Sequence, residues 1–146
     1  MKWLGDLDGE IVGLDTPPLI YFIEEHPRYL PVVSPFFQAL DRGDFRAVTS
    51  TITLLEVLVH PLRTGQTSLC SRYRDILTRA RNLSLVDVSV PIAERAAELR
   101  ASTGLRTPDA VQVAAALTHG ARLFLTNDGR LPTIAGLKVL VLDDLE

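Results

Sequence analysis

Five short apolar runs of β character lie along the chain, and a stretch of helical periodicity separates each from the next. The runs are EIVGLD (10–15), RAVTS (46–50), LSLVDVS (83–89), ARLFLTND (121–128) and KVLVLDD (138–144). Strands that alternate with helices argue an α/β fold with a mostly parallel central sheet and helices on both faces. The order of the strands is not legible at this level.

The ends of the helical stretches carry their own punctuation. Pro17 and Pro18 suit the first turn of a helix leaving the first strand. SPFFQALDRG predicts a second helix. Ser50 or Thr51 is expected to cap TITLLEVLVH, and Pro61 to stop it. A basic helix follows over 66–82, and PIAERAAELRAST is amphipathic up to Gly104. In TPDAVQVAAALTHG, Thr107 is the expected cap, Pro108 the first helical residue and Gly120 the stop. No repeat or linker interrupts the pattern, so a single domain over 1–146 is expected.

Composition narrows the setting. With 146 residues and 47% apolar content, one sizeable core is possible. A lone cysteine, Cys70, excludes an internal disulfide and fits a reducing compartment. MKWLGDLDGE carries acids where a signal peptide would be basic and then apolar. No apolar run reaches the length of a membrane span, so a soluble cytoplasmic protein is expected. The net charge of −3 argues on its own against a polyanionic partner. Its distribution does not: residues 60–106 hold eight arginines against four acids. Arginine is the better fork for phosphate oxygens, so this stretch is compatible with nucleic acid without establishing it.

Acids mark the strand ends. Asp15 closes the first strand and Asp128 the fourth, while Asp109 opens the helix after the Gly104–Thr107 loop. Glu56 rides the helix leaving RAVTS, in a polar stripe with Thr53 and His60. Each has a plain structural explanation: a helix cap for Asp15, a dipole partner for Asp109, a turn residue for Asp128 and simple exposure for Glu56. Together they place four carboxylates at the sheet edge where α/β folds bind ligands. Clustered carboxylates repel and raise one another's pKa, and hard divalent cations relieve this. Other chemistries fit poorly. His26, His60 and His119 lack zinc spacing, no glycine-rich phosphate loop is present, and Cys70 has no histidine motif beside it.

Four segments, in this order, resemble the PIN-domain ribonucleases, and most of all the VapC-type toxins of toxin–antitoxin pairs. They are Asp15-Thr16 after an apolar strand, S-T-I-T-L-L-E ending at Glu56, T-P-D-A-V-Q-V-A-A-A at Asp109 and F-L-T-N-D-G-R-L at Asp128. The resemblance runs from about Ile11 to Leu142. It implies a three-layer α/β/α sandwich and a Mg²⁺- or Mn²⁺-dependent endoribonuclease. The implied metal ligands and catalytic residues are Asp15, Glu56, Asp109 and Asp128, with Thr16 and Asn127 as polar support. Arg63, Arg72, Arg74, Arg79, Arg81 and Arg106 are the candidates for holding RNA phosphates. The resemblance also implies a homodimer and a small antitoxin whose tail covers the acidic pocket. Pro17 stands where a small polar residue is more usual and Gln112 where a histidine is common, which puts substrate contacts in question.

Three rivals stand beside this reading. One is a metal phosphatase or DNase with a similar acid layout. Another is a PIN-like module that binds RNA or protein without cutting, for which a repulsive acid cluster has no use. The third, a phospho-acceptor receiver, would want two adjacent acids after the first strand and a lysine near the last. Asp15 stands alone, and Lys138 lies at the start of its strand.

Overall fold

The computed structural model describes residues 1–145. The chain runs α1 (Lys2–Gly5), β1 (Ile11–Leu14), α2 (Thr16–Ile23), α3 (Leu30–Arg42), β2 (Arg46–Ser50), α4 (Thr51–Arg63), α5 (Thr67–Arg79), β3 (Leu83–Val86), α6 (Val90–Thr103), α7 (Thr107–Thr118), β4 (Leu123–Thr126) and β5 (Lys138–Val141). A 3₁₀ turn, Leu142–Asp144, follows. The five strands form one sheet in the order β3-β2-β1-β4-β5, and each pairing is parallel. From β1 the chain steps outward through β2 to β3, then returns to build β4 and β5 on the other side. The direction of winding therefore reverses between β1 and β4, and a crevice opens beyond their carboxyl ends.

The strands alternate between two cores, as a period of two requires. Val12, Leu14, Ala47 and Leu125 pack with residues of α2, α3, α4 and α5, including Leu19, Phe36, Phe37 and Tyr73. Val48 and Phe124 point the other way, into Ile92, Leu99 and the small residues of α6 and α7. The result is the three-layer α/β/α sandwich.

The second core is thin because α7 is built from small residues. Ala110, Ala114, Ala115 and Ala116 are almost wholly buried. Opposite them β1 carries Gly13, where an added Cβ would stand 2.5 Å from Ala116 Cβ and 2.7 Å from the Phe124 ring. The last turn of α7, at Ala116, is thus held close against Gly13 of β1.

Several boundaries differ from expectation. α4 continues through Pro61 to Arg63. The proline forfeits one hydrogen bond, but its ring is buried, and Thr64 closes the last turn with both its N–H and its hydroxyl on the His60 carbonyl. α7 is capped at Arg106, not Thr107, because the Ala110 N–H already reaches the Arg106 carbonyl at 2.9 Å. α3 starts four residues earlier than SPFFQALDRG, at Leu30, and α1 was not anticipated. On α4, Thr53, Val57 and Pro61 face inward, whereas Leu55, Val59 and Leu62 are 60%, 42% and 59% exposed. No helix among the described residues is long and apolar enough to cross a membrane.

Candidate functional site

Asp15 follows β1 directly and caps α2, accepting the Thr16 N–H on Oδ1 at 2.9 Å. Its Oδ2 accepts the Thr126 hydroxyl from the end of β4 at 2.7 Å. The same hydroxyl takes the Asp128 N–H at 3.0 Å, so Thr126 links the ends of the two strands. The carboxyl group of Asp15 is pushed up to about 6, chiefly by burial. The bonds from Thr126 and Thr16 pull it back down, while the charges of Asp109 and Glu56 raise it further. The plain reading of Asp15 as a helix cap is therefore realised.

Glu56 is exposed, which answers how an acid is tolerated on an apolar helix. It is not free, however: its Oε1 accepts the hydroxyl of buried Thr16 at 2.8 Å. Beneath this pair lies a buried polar layer. Gln112, 3% exposed, donates from Nε2 to Thr16 Oγ1 at 3.3 Å and to Thr53 Oγ1 at 2.5 Å. Its Oε1 accepts the Ser50 hydroxyl at 2.7 Å. Thr49 Oγ1 lies 2.7 Å from Thr53 Oγ1 and donates to the Leu14 carbonyl at 2.8 Å. Gln112 therefore lies under the site and out of a substrate's reach, and its departure from the usual histidine is no question of substrate contact. Exposed His60 makes no hydrogen bond to Glu56 among the described residues.

Asp109 and Asp128 line a cleft of about 390 Å³ between the α6–α7 loop and the loop after β4. Each meets an arginine: Arg106 Nε lies 3.5 Å from Asp109 Oδ2, and Arg130 Nε 3.1 Å from Asp128 Oδ1. The Arg130 N–H also bonds Asp128 Oδ1 at 2.9 Å, an Asx turn. That backbone bond, then the Arg130 guanidinium, with Arg106 adding to it, holds Asp128 below its ordinary pKa despite some burial. Arg130 was missed as a site residue. Its only sequence signal was its place two residues after Asp128 in N-D-G-R.

The other candidates are more dispersed. Asn127 donates to the Tyr21 hydroxyl at 3.3 Å and accepts the Asp143 N–H at 3.2 Å, so it staples the loop after β4 to α2 and the C-terminal turn. Arg72 donates to the Ile23 carbonyl at 2.9 Å, closing the end of α2. Arg79 and Arg81 lead into the amino end of β3, at the sheet edge opposite the acids. Arg63 ends α4, and Arg74 is exposed on α5. Of the six arginines proposed from sequence, Arg106 alone lines the acidic cleft. A separate apolar cavity lined by Phe22, Phe37 and Ile76 carries Asp41 and Arg81 but none of the four acids.

Among the described residues no three acids, histidines or cysteines form a ready-made cage for an ion. Mg²⁺ does not need one, because it is commonly held by one or two carboxylates, with waters and substrate phosphates completing its octahedron. Asp15 is a half-buried carboxylate whose partners are hydroxyl and amide groups, not a cation, and two more acids press on it electrostatically. An all-oxygen donor set in that state fits a hard divalent ion.

Residues 12–137 match the family model described as "PIN domain", and the chain belongs to the PIN-domain family. The chain is similar to several solved structures of toxin–antitoxin complexes. With VapBC2 from Rickettsia felis, bound to a DNA fragment of its promoter, it shares 20% identity and a TM-score of 0.70 over 90% of this chain and 98% of that one. A toxin–antitoxin complex from Klebsiella pneumoniae gives 27% identity and a TM-score of 0.66, over 92% and 98%. DNA-bound VapBC from Salmonella typhimurium gives 19% and 0.62 over the same shares. No curated protein matches this chain.

Proposed function

We propose that this chain is a divalent-metal-dependent endoribonuclease and the toxin of a toxin–antitoxin pair. The observation that carries the proposal is the setting of Asp15: a half-buried carboxylate at the switch point of the sheet, bonded by the Thr16 N–H and the Thr126 hydroxyl and raised by partial burial and by the neighbouring charges of Asp109 and Glu56. Such a group is set to bind a cation.

Asp15 and Asp109 would hold Mg²⁺ or Mn²⁺, with Glu56 and Asp128 completing the surroundings directly or through water. The chemistry such an ion supplies is activation of water and neutralisation of phosphoryl charge. The chain itself supplies the geometry. Thr126 and the Thr16 N–H fix both oxygens of Asp15. Thr16 fixes one oxygen of Glu56 and leaves the other to take a proton from the attacking water. Arg106 and Arg130 flank the cleft and receive the backbone phosphates on either side of the cut. Single-stranded or looped RNA suits so shallow a site, because its bases can be splayed out.

The antitoxin belongs to the same reading. Leu55, Val59 and Leu62 form an exposed apolar stripe on the helix that carries Glu56. The similar structures from Rickettsia felis, Klebsiella pneumoniae and Salmonella typhimurium are VapBC or toxin–antitoxin complexes. A partner segment seated on this stripe would lie beside the acids and shield them from RNA.

The test is to incubate the purified chain with RNA, single-stranded DNA and a small phosphomonoester, with Mg²⁺, with Mn²⁺ and with EDTA. The expected result is cleavage of RNA alone, lost in EDTA, leaving 5′-phosphate and 3′-hydroxyl ends. Cyclic phosphate ends, or full activity in EDTA, would overturn it. Preference for DNA or the monoester would move the assignment to the phosphatase or DNase class.

A further inference from the structure

We propose that Gln112 is a positioning residue that holds the Glu56 carboxylate at the site by fixing the direction of the hydrogen bonds through Thr16. The inference deepens the functional reading above and rests on it for its consequence in metal binding.

The argument is a count of protons. Thr49 gives its only hydroxyl proton to the Leu14 carbonyl, so in the Thr49–Thr53 contact the donor is Thr53. Thr53 then has none left for Thr16, although the two oxygens are 3.3 Å apart. Ser50 spends its proton on Gln112 Oε1 and receives the Ile52 N–H. What remains is the pair of protons on Gln112 Nε2, one to Thr53 and one to Thr16. Each hydroxyl in the layer is thereby oriented, and the Thr16 proton is left to point outward at Glu56. A glutamate of the same shape at this position would demand protons from Thr16 and Thr53 instead, and would turn Thr16 away from Glu56. Gln112 also lies one turn after Asp109 on α7. The layer therefore ties the helices bearing Asp109 and Glu56 to the first residue of α2 beside Asp15.

Gln112→Glu and Gln112→Met tests the chain from the hub, and Thr16→Val tests it from the link. Circular dichroism and thermal melts establish which variants fold. Side-chain couplings of Glu56 by NMR, without metal, report whether it keeps one rotamer. Mn²⁺ titration followed by electron paramagnetic resonance reports affinity. The expected result is a single Glu56 rotamer in the wild type, averaging in every folded variant, and about tenfold weaker Mn²⁺ binding in each. A single retained rotamer in the folded Gln112 variants, with affinity within twofold of wild type, would reduce Gln112 to a packing residue and overturn the proposal. If neither Gln112 variant folds, Thr16→Val decides: a retained Glu56 rotamer overturns the proposal, and averaging supports it. Should the wild type bind no Mn²⁺ while Glu56 still loosens in the variants, the positioning claim stands and the metal-dependent function falls.

Discussion

Asp15 and Asp128 follow neighbouring parallel strands, yet their environments drive them in opposite directions. Asp15 is half-buried at the start of α2, its partners are hydroxyl and amide groups, and its carboxyl group rises to about 6. Asp128 stands in a turn three residues past Leu125, accepts a backbone N–H and an arginine, and falls below its ordinary value. The difference shows that position at the carboxyl end of a parallel sheet does not make two acids equivalent. Depth decides which one carries an unmet demand for positive charge, and an exposed arginine meets that demand at the rim.

The sharpest way to break this contrast is to neutralise Asp15. Asp15→Asn is expected to lower RNA cleavage by about a hundredfold or more. The same change is expected to raise metal-free stability at pH 7.5 by up to about 3 kcal/mol, measured by urea unfolding, because it removes a half-buried charge with no cationic partner. Asp128→Asn should not stabilise the chain, since its charge is already compensated. Equal stabilisation by both would abolish the distinction.

The next effect is on pH. The Asp15 carboxyl ordinarily titrates at 3.8 and here at about 6. The folded state therefore binds the proton more tightly than the unfolded chain. The stability linked to that proton is fully present below 3.8 and is lost as pH rises through about 6. Metal-free melting temperatures should fall across this window, the fall should vanish in Asp15→Asn, and Mg²⁺ should restore stability more at pH 7.5 than at pH 5. The lowered pKa of Asp128 works oppositely: its small contribution is present above its unfolded value and is lost as pH falls through the folded one.

A smaller effect is expected from Thr126→Val, which removes the donor to Asp15 Oδ2 and the acceptor of the Asp128 N–H. It should destabilise the chain by about 1–3 kcal/mol at pH 7.5 and by less at pH 4, where Asp15 is protonated. The smallest belongs to Arg130→Ala. Its guanidinium is largely exposed, so unfolding free energy should change by less than about 1 kcal/mol. The RNA-binding affinity should lose part of its dependence on salt concentration, read from binding isotherms at several ionic strengths.

The fold was legible because each of its five strands is a local pattern bounded by strong punctuation. Gly104 and Gly120 stop their helices with φ of 75° and 85°, as expected. Strand order was hidden because it is settled by nonlocal packing of α-helices on the sheet. Pro61 misled because a buried ring and a Thr64 closure can offset one missing hydrogen bond. Of the site, the candidate acids could be named from strand ends and helix starts, but the inequality of Asp15 and Asp128 could not, since burial is a property of the assembled layers. The arginine-rich segment was visible as charge, yet Arg72, Arg79 and Arg81 serve or occupy other places. Gln112 drew notice only as a departure from its family's habit, because a hydrogen-bond network drawn from Ser50, Thr53 and Thr16 leaves no spacing signature along the chain.

The missing side chain at Gly13 also sets a dimension near the carboxyl end of its strand, two residues before Asp15. It works as a shim of zero thickness: Ala116 of α7 rests against β1 where a Cβ would otherwise stand, and that clearance carries along the helix to Asp109. Thickening the shim by one methyl group would lever α7 outward and widen the gap across which Asp109 and Asp15 would share an ion.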